Sequence, residues 1–122
     1  MDTVASFSAP FRARRCIVPA AAFVEFPMVG GTKVRHRVTR ADGRPILFAG
    51  LWDRWRGGGA EVYSFTIITA EPSEELRWLH HRMPVILSDE ASEVWLDRDV
   101  GVAESKALLV SPEADALCAV PA

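Results

Sequence analysis

Residues 76–87, LRWLHHRMPVIL, set two of the chain's three histidines side by side and follow them with Arg82. Histidine changes charge near neutral pH, which makes it the natural proton carrier for acid–base chemistry. A second candidate is Glu25, in the stretch FVEF, where Phe23, Val24 and Phe26 give a carboxylate apolar neighbours. Partial burial among such side chains disfavours the charged form and raises the carboxyl pKa toward the range useful for proton transfer. In an extended segment, alternation puts His80 and Arg82 on one side and His81 on the other, so the adjacent histidines need not share a job. Each candidate also has a purely structural reading: Glu25 as a solvent-facing strand residue, His80 and His81 as capping or core histidines. His36, grouped with Val34 and Val38, reads as structural. A metal site built from the two histidines and a glutamate would need a ligand brought from a distance, and no metal is expected. Cys16 and Cys118 lie far apart and form no CxxC pair, which favours buried structural thiols over a disulfide or metal centre.

The frame that must position these groups is small. The 122 residues fit one domain, enough to bury roughly two-thirds of the surface the unfolded chain exposes. Apolar residues make up 49% and charged residues 25%, which excludes wholesale disorder. No apolar run approaches the roughly 18 residues of a membrane span, so no membrane association is expected. The first residues, MDTVASFSAP, lack a basic region followed by an apolar one, and the expected compartment is cytoplasmic. The net charge of −2 hides an asymmetry: residues 88–122 hold 2 basic residues against 8 acidic ones, leaving 12 basic against 8 acidic in residues 1–87. A partner carrying phosphates would meet the basic body, although an excess of this size also suits a solvated face.

Residues 15–19 read as a short strand, which residues 22–28 continue toward a Val29-Gly30-Gly31 turn; a hairpin is the economical arrangement. Residues 33–38 alternate with period two and predict a half-buried strand, with Lys33, Arg35 and Arg37 on the outer face. That stripe reads as a solvated face rather than a nucleic-acid track. An apolar strand over 45–52, a flexible Gly57-Gly58-Gly59 connection and a second strand over 61–69 follow. Trp52 is expected in the core; Trp55 fits either a core or a surface position. Residues 72–79 look helical, with acidic residues in the first turn and Leu76 and Leu79 on one edge, and Pro84 ends the segment. A short strand over 85–87, a helix over 89–96 capped by Ser88, and a second helix over 104–110 complete the ordered part. The last twelve residues read as coil with one apolar run at 117–120. The fold class expected is α+β: a curved, mainly antiparallel, barrel-like sheet with short flanking helices.

Four segments, RRCIVPAAAFVEF (14–26), ILFAGLWDRW (46–55), FTIITAEPSEEL (65–76) and LHHRMPVIL (79–87), together resemble the SRAP family, the SOS response-associated peptidases also called abasic-site processing proteins. The resemblance covers nearly the whole chain. It implies a DNA-repair chemistry in which the protein binds single-stranded DNA or strand junctions and joins covalently to the ring-opened aldehyde of an abasic site. The attacking group in the family is an N-terminal cysteine, whose α-amine forms a Schiff base and whose thiol closes a thiazolidine. A carboxylate and a histidine handle protons there, an asparagine upstream of the RRC-like strand holds the sugar, and the same cysteine is linked to release of a propeptide. No cofactor is implied.

Carried onto this sequence, the family's glutamate falls on Glu25 and its histidine on His80. Arg82 matches an arginine expected beside a DNA phosphate, and Arg15, Phe26 and Thr69 join it as DNA-binding candidates. Phe26 stands where the family often has tryptophan, and reads equally as a base-stacking or a core residue. The sequence departs from the family at its start, which reads Met1-Asp2-Thr3 in place of Met-Cys-Gly-Arg. Cys16 cannot substitute, because its nitrogen is a peptide amide and a thiazolidine needs amine and thiol on one residue. The expectation is therefore a single SRAP-like domain over 1–122, incomplete at the N-terminus and also at the C-terminus. Its partners would be single-stranded DNA with abasic sites and either a missing N-terminal segment or a second copy of itself. Three functional readings stand: part of an active enzyme, a non-catalytic DNA-binding remnant, and an interaction domain with no DNA role.

Overall fold

The structure is a computed structural model that describes residues 14–122; the readings made on the first ten residues, including Met1-Asp2-Thr3, lie outside the described residues. The fold is α+β, with ten short strands, two α-helices and two 3-10 turns among the described residues. Strand β1 (Arg15–Ala20) pairs antiparallel with the inner half of β6 (Ile46–Gly57), and residues 50–57 of β6 pair with β7 (Ala60–Ile67). A second antiparallel sheet has the order β10-β5-β2, formed by β10 (Leu117–Pro121), β5 (His36–Arg40) and β2 (Phe23–Glu25). The small pairs β3 (Met28–Val29) with β4 (Thr32–Lys33), and β8 (Thr69–Ala70) with β9 (Met83–Pro84), complete the set.

The sheets are mostly antiparallel, as expected, but no closed barrel forms among the described residues. Instead, backbone bonds stitch the separate sheets. The Ala49 amide donates to the Val85 carbonyl (2.9 Å), Val85 to Ile68 (2.8 Å), Ile68 to Ala49 (2.9 Å) and Leu87 to Leu47 (2.8 Å). Gly50 sits at this crossing because a Cβ there would lie 3.1 Å from both the Cys16 Sγ and the Thr66 carbonyl oxygen. The β6–β7 turn is tighter than the flexible connection the sequence suggests. Gly57 and Ala60 still pair, and Gly58 and Gly59 carry positive φ of 55° and 77°, as a two-residue primed turn requires.

Two apolar cores follow from this arrangement. Ala49, Leu51, Val85, Leu87 and Trp95 form one; Val38, Leu76, Leu79 and Met83 form the other, against Phe23 and Leu117. Helix α1 (Asp89–Leu96) drives Trp95 into the first core, where it is fully buried and its Nε1 donates to the Cys16 carbonyl (2.9 Å). Its N-cap is the expected one: the Ser88 Oγ accepts from the Ala91 amide (3.0 Å). Helix α2 (Val102–Lys106) overlaps the predicted span of 104–110 but starts and ends earlier.

Several expectations are corrected. The predicted helix over 72–79 shrinks to a 3-10 turn at Glu74–Leu76, whose three-residue period still carries both Leu76 and Leu79 into the second core. The predicted coil at the end of the chain is β10, whose partner β5 is remote in sequence. Residues 15–28 do not fold on themselves; β1 pairs with β6 and β2 with β5. Trp52 is half-buried and belongs to neither core, with the Arg14 guanidinium 5.2 Å from its ring. Of the two free cysteines, Cys16 is half-buried and Cys118 is exposed on β10.

Candidate functional site

Leu79 and Met83 are both buried in the second core, and the three residues between them, His80, His81 and Arg82, form a bend pinned at each end. The bend overturns the extended reading. The two histidine rings do not point to opposite sides; their centroids lie 4.5 Å apart with planes tilted by 34°. Across from them, β2 ends at Glu25, whose cross-strand partner is His36. Glu25 Oε1 lies 3.8 Å from His80 Nε2, with the carboxylate side chain 16% exposed and the imidazole 39% exposed. The sequence therefore placed two functional candidates that the fold brings together.

The tautomer of His80 follows from its other nitrogen. Nδ1 lies 2.6 Å from the Arg82 carbonyl oxygen and 3.2 Å from the Arg82 amide nitrogen. A carbonyl can only accept, so the shorter contact assigns the proton to Nδ1. In the neutral ring, Nε2 is left with its lone pair on the side of Glu25. Burial pushes the Glu25 carboxyl above the usual carboxylate range, and the nearby His80 and His81 pull it partly back. A carboxyl whose pKa is raised by burial thus stands beside an imidazole, and two such groups at this separation can serve as a general acid–base pair.

The pair opens onto a groove of about 470 Å³. Phe26, 54% exposed, lines it beside Glu25, as do Met28, Lys33, Arg77 and Trp78 from neighbouring segments. A larger cavity of about 520 Å³ lies elsewhere, among Arg40, Leu87, Leu108 and Ala116, and contains none of the predicted site residues. Among the described residues, no group of three or more His, Cys, Asp or Glu side chains is placed to hold a metal ion.

Arg82 and Thr69 also come together. The guanidinium donates through Nη2 to the Thr69 carbonyl (2.9 Å) and to its Oγ1 (3.1 Å), across the β8–β9 pair, and both side chains are exposed. Arg15 does not join them. Its Nε donates to the Trp95 carbonyl (2.6 Å) and its Nη2 to the Asp97 carbonyl (2.8 Å), so it caps the C-terminus of α1 and lies over the Trp95 ring. Two of its guanidinium nitrogens are thus engaged by carbonyls at the helix end, apart from the Arg82–Thr69 pair. The residue that sequence reasoning passed over is Trp78, which is 51% exposed in the groove. Its signal was legible: with Leu76 and Leu79 turned to the core, an aromatic residue between them has to face outward.

Comparison with known proteins follows the same lines. The family model described as SOS response associated peptidase (SRAP) matches residues 1–122. The abasic site processing protein YobE of Bacillus subtilis is 40% identical over 94 residues, covering 75% of this chain and 43% of that protein. The abasic site processing protein HMCES of Xenopus tropicalis is 36% identical over 107 residues, covering 71% of this chain and 32% of its own. A crystal structure of a protein from Bacteroides thetaiotaomicron superposes with a TM-score of 0.89 at 30% identity, over 98% of this chain and 54% of that one. The chain thus spans less than half the length of these two relatives. Its sequence matches the family model from first residue to last and its fold matches a solved structure at 30% identity, and the chain belongs to the SOS response associated peptidase (SRAP) family.

Proposed function

We propose that the Glu25–His80 groove is the proton-handling part of a centre that processes abasic sites in DNA. The observation that carries this reading is the geometry of the pair: the half-buried Glu25 carboxylate lies 3.8 Å from His80 Nε2, at the edge of an open groove. The names of the relatives, abasic site processing proteins, supply the substrate class.

The chemistry fits two such groups. When an amine adds to the ring-opened aldehyde of an abasic sugar, a carbon–nitrogen bond forms at C1′. The carbonyl oxygen must then leave as water, carrying the two protons that the nitrogen loses. His80 Nε2 accepts a proton from nitrogen, the Glu25 carboxyl donates one to oxygen, and a gap of 3.8 Å is bridged by one side-chain rotation or one water. A thiol then adds across the carbon–nitrogen double bond, placing sulfur on carbon and a proton on nitrogen. The family resemblance assigns that amine and thiol to an N-terminal cysteine. Arg82, held on Thr69, and the exposed Phe26 would meet phosphate and base of a single strand.

Non-covalent binding to single-stranded DNA is the second reading, favoured by the state of Cys16. Its nitrogen lies within β1, and burial pushes its thiol pKa up, away from thiolate. The experiment is a denaturing gel of protein incubated with a single strand carrying one abasic site. The comparison is between the 122-residue chain and a longer chain extended upstream to a Met-Cys-Gly-Arg start. The longer chain should give a heat-stable shifted band, and Glu25→Gln or His80→Ala within it should each slow its formation by about 10²–10⁴-fold. Unchanged rates in both variants would overturn the acid–base assignment. A heat-stable band from the 122-residue chain, abolished by Cys16→Ala, would overturn the assignment of the nucleophile.

A further inference from the structure

The groove has a second end that the proton chemistry does not use. Trp78 presents a half-exposed indole there, and the ring is held from behind. His36 is buried, its Nδ1–H donates to the Val34 carbonyl (2.9 Å), and its ring meets that of Trp78 edge-on at 5.5 Å and 74°. A fixed aromatic face in solvent is preorganised for stacking, since little side-chain freedom remains to be lost. Two cations border it. Arg77 is already paired with Glu74 (3.1 Å), whereas Lys33, on β4, has no carboxylate within ion-pair distance among the described residues. His36 is also the cross-strand neighbour of Glu25, so the same buried ring stands between the proton pair and the indole.

We propose that Trp78 and Lys33 form a nucleotide subsite next to the reacting sugar, with the flanking base stacked on the indole and its phosphate facing the Lys33 ammonium. This rests on reading the groove as an abasic-site centre, and it adds to Phe26 a second aromatic surface, at the far end of the groove, that holds an intact neighbour while the damaged position has no base to grip. A planar face with a free cation beside it suits any of the four bases, so the subsite contributes affinity and position without sequence preference.

The test measures binding of the 122-residue chain to three fluorescent single strands across a salt series. One carries an abasic site flanked by intact nucleotides, and the other two lack the base on the 5′ or the 3′ neighbour as well. Removing the base from one neighbour should weaken binding roughly 5- to 100-fold, the range for one stacked base. Trp78→Ala should weaken binding to the intact strand by the same factor and abolish the difference between strands, while Trp78→Phe, which keeps a ring, should restore most of it. Lys33→Ala, on an exposed strand away from both cores, should lower the salt slope by about one regardless of strand. Thermal melting of each variant checks that the fold survives. If all three strands bind alike and Trp78→Ala changes nothing while Arg82→Ala still weakens binding, the subsite is refuted and the DNA reading of the groove stands. If the chain binds none of the strands, both fall together.

Discussion

Two of the places where an arginine stands beside a tryptophan in this molecule have opposite outcomes. At the end of α1, Trp95 is fully buried with its indole nitrogen bonded, and Arg15 lies over it with its guanidinium on two main-chain carbonyls. In the groove, Trp78 is half-exposed and Arg77 reaches only Glu74 on its own turn. The residue types are the same; the difference is what the backbone offers them. Carbonyls left open at a helix end and an apolar pocket absorb the first pair into stability, while a bend held open by two buried anchors leaves the second facing solvent.

The comparison breaks most readily at Trp95. Trp95→Ala empties the centre of the first core and should cost about 3–5 kcal/mol of stability in urea unfolding. A loss under about 1 kcal/mol would show that the cavity collapses and that Trp95 is no anchor. Next in size, Arg15→Ala removes charged hydrogen bonds to two carbonyls and should cost about 1–3 kcal/mol, with DNA affinity and its salt dependence unchanged. Arg82→Ala is its counterpart: stability within about 0.5 kcal/mol of the parent, but a salt slope for single-strand binding lower by about one. Exchange of these two phenotypes would reverse the roles assigned to the arginines.

The smallest effect concerns Glu25, and its sign is the informative part. A carboxyl whose folded pKa lies above its unfolded one contributes stability that is complete below the unfolded pKa and is lost as pH rises through the folded pKa. Burial raises the Glu25 pKa. Glu25→Gln, which cannot ionise, should therefore melt higher than the parent near neutral pH, and the gap should close as pH falls below the ordinary glutamate range. A variant that melts lower at neutral pH would mean that the ionised carboxylate is the form the fold favours.

Local rules carried the reading wherever neighbours in sequence decide the outcome. Period-two alternation placed His36 and Val38 inward on β5, both buried, and Ser88 announced the start of α1. The Glu25–His80 pair was legible only through the family resemblance, since 55 positions separate the two residues and no pattern in either segment points to the other. What escaped was decided by distant contacts. β10 looked like coil because its strand character comes from pairing with β5, and residues 72–79 wind as a 3-10 turn that brings the same two leucines, Leu76 and Leu79, into one core. Trp52, expected in the core, lies just past the last residue of β6 that β1 covers, Leu51.

That same limit gives β6 two personalities. From Ile46 to Leu51 it has neighbours on both edges, β1 on one and residues 85–87 followed by the end of β7 on the other, whereas from Asp53 to Gly57 the described residues offer it β7 alone. In an antiparallel pair, successive amides point to opposite neighbours. Hydrogen–deuterium exchange should therefore be slow at consecutive positions in the inner half. In the outer half it should alternate, every second amide slow against β7 and the next one quick. The strand would then be read out as a solid bar grading into a comb, within one unbroken run of twelve residues.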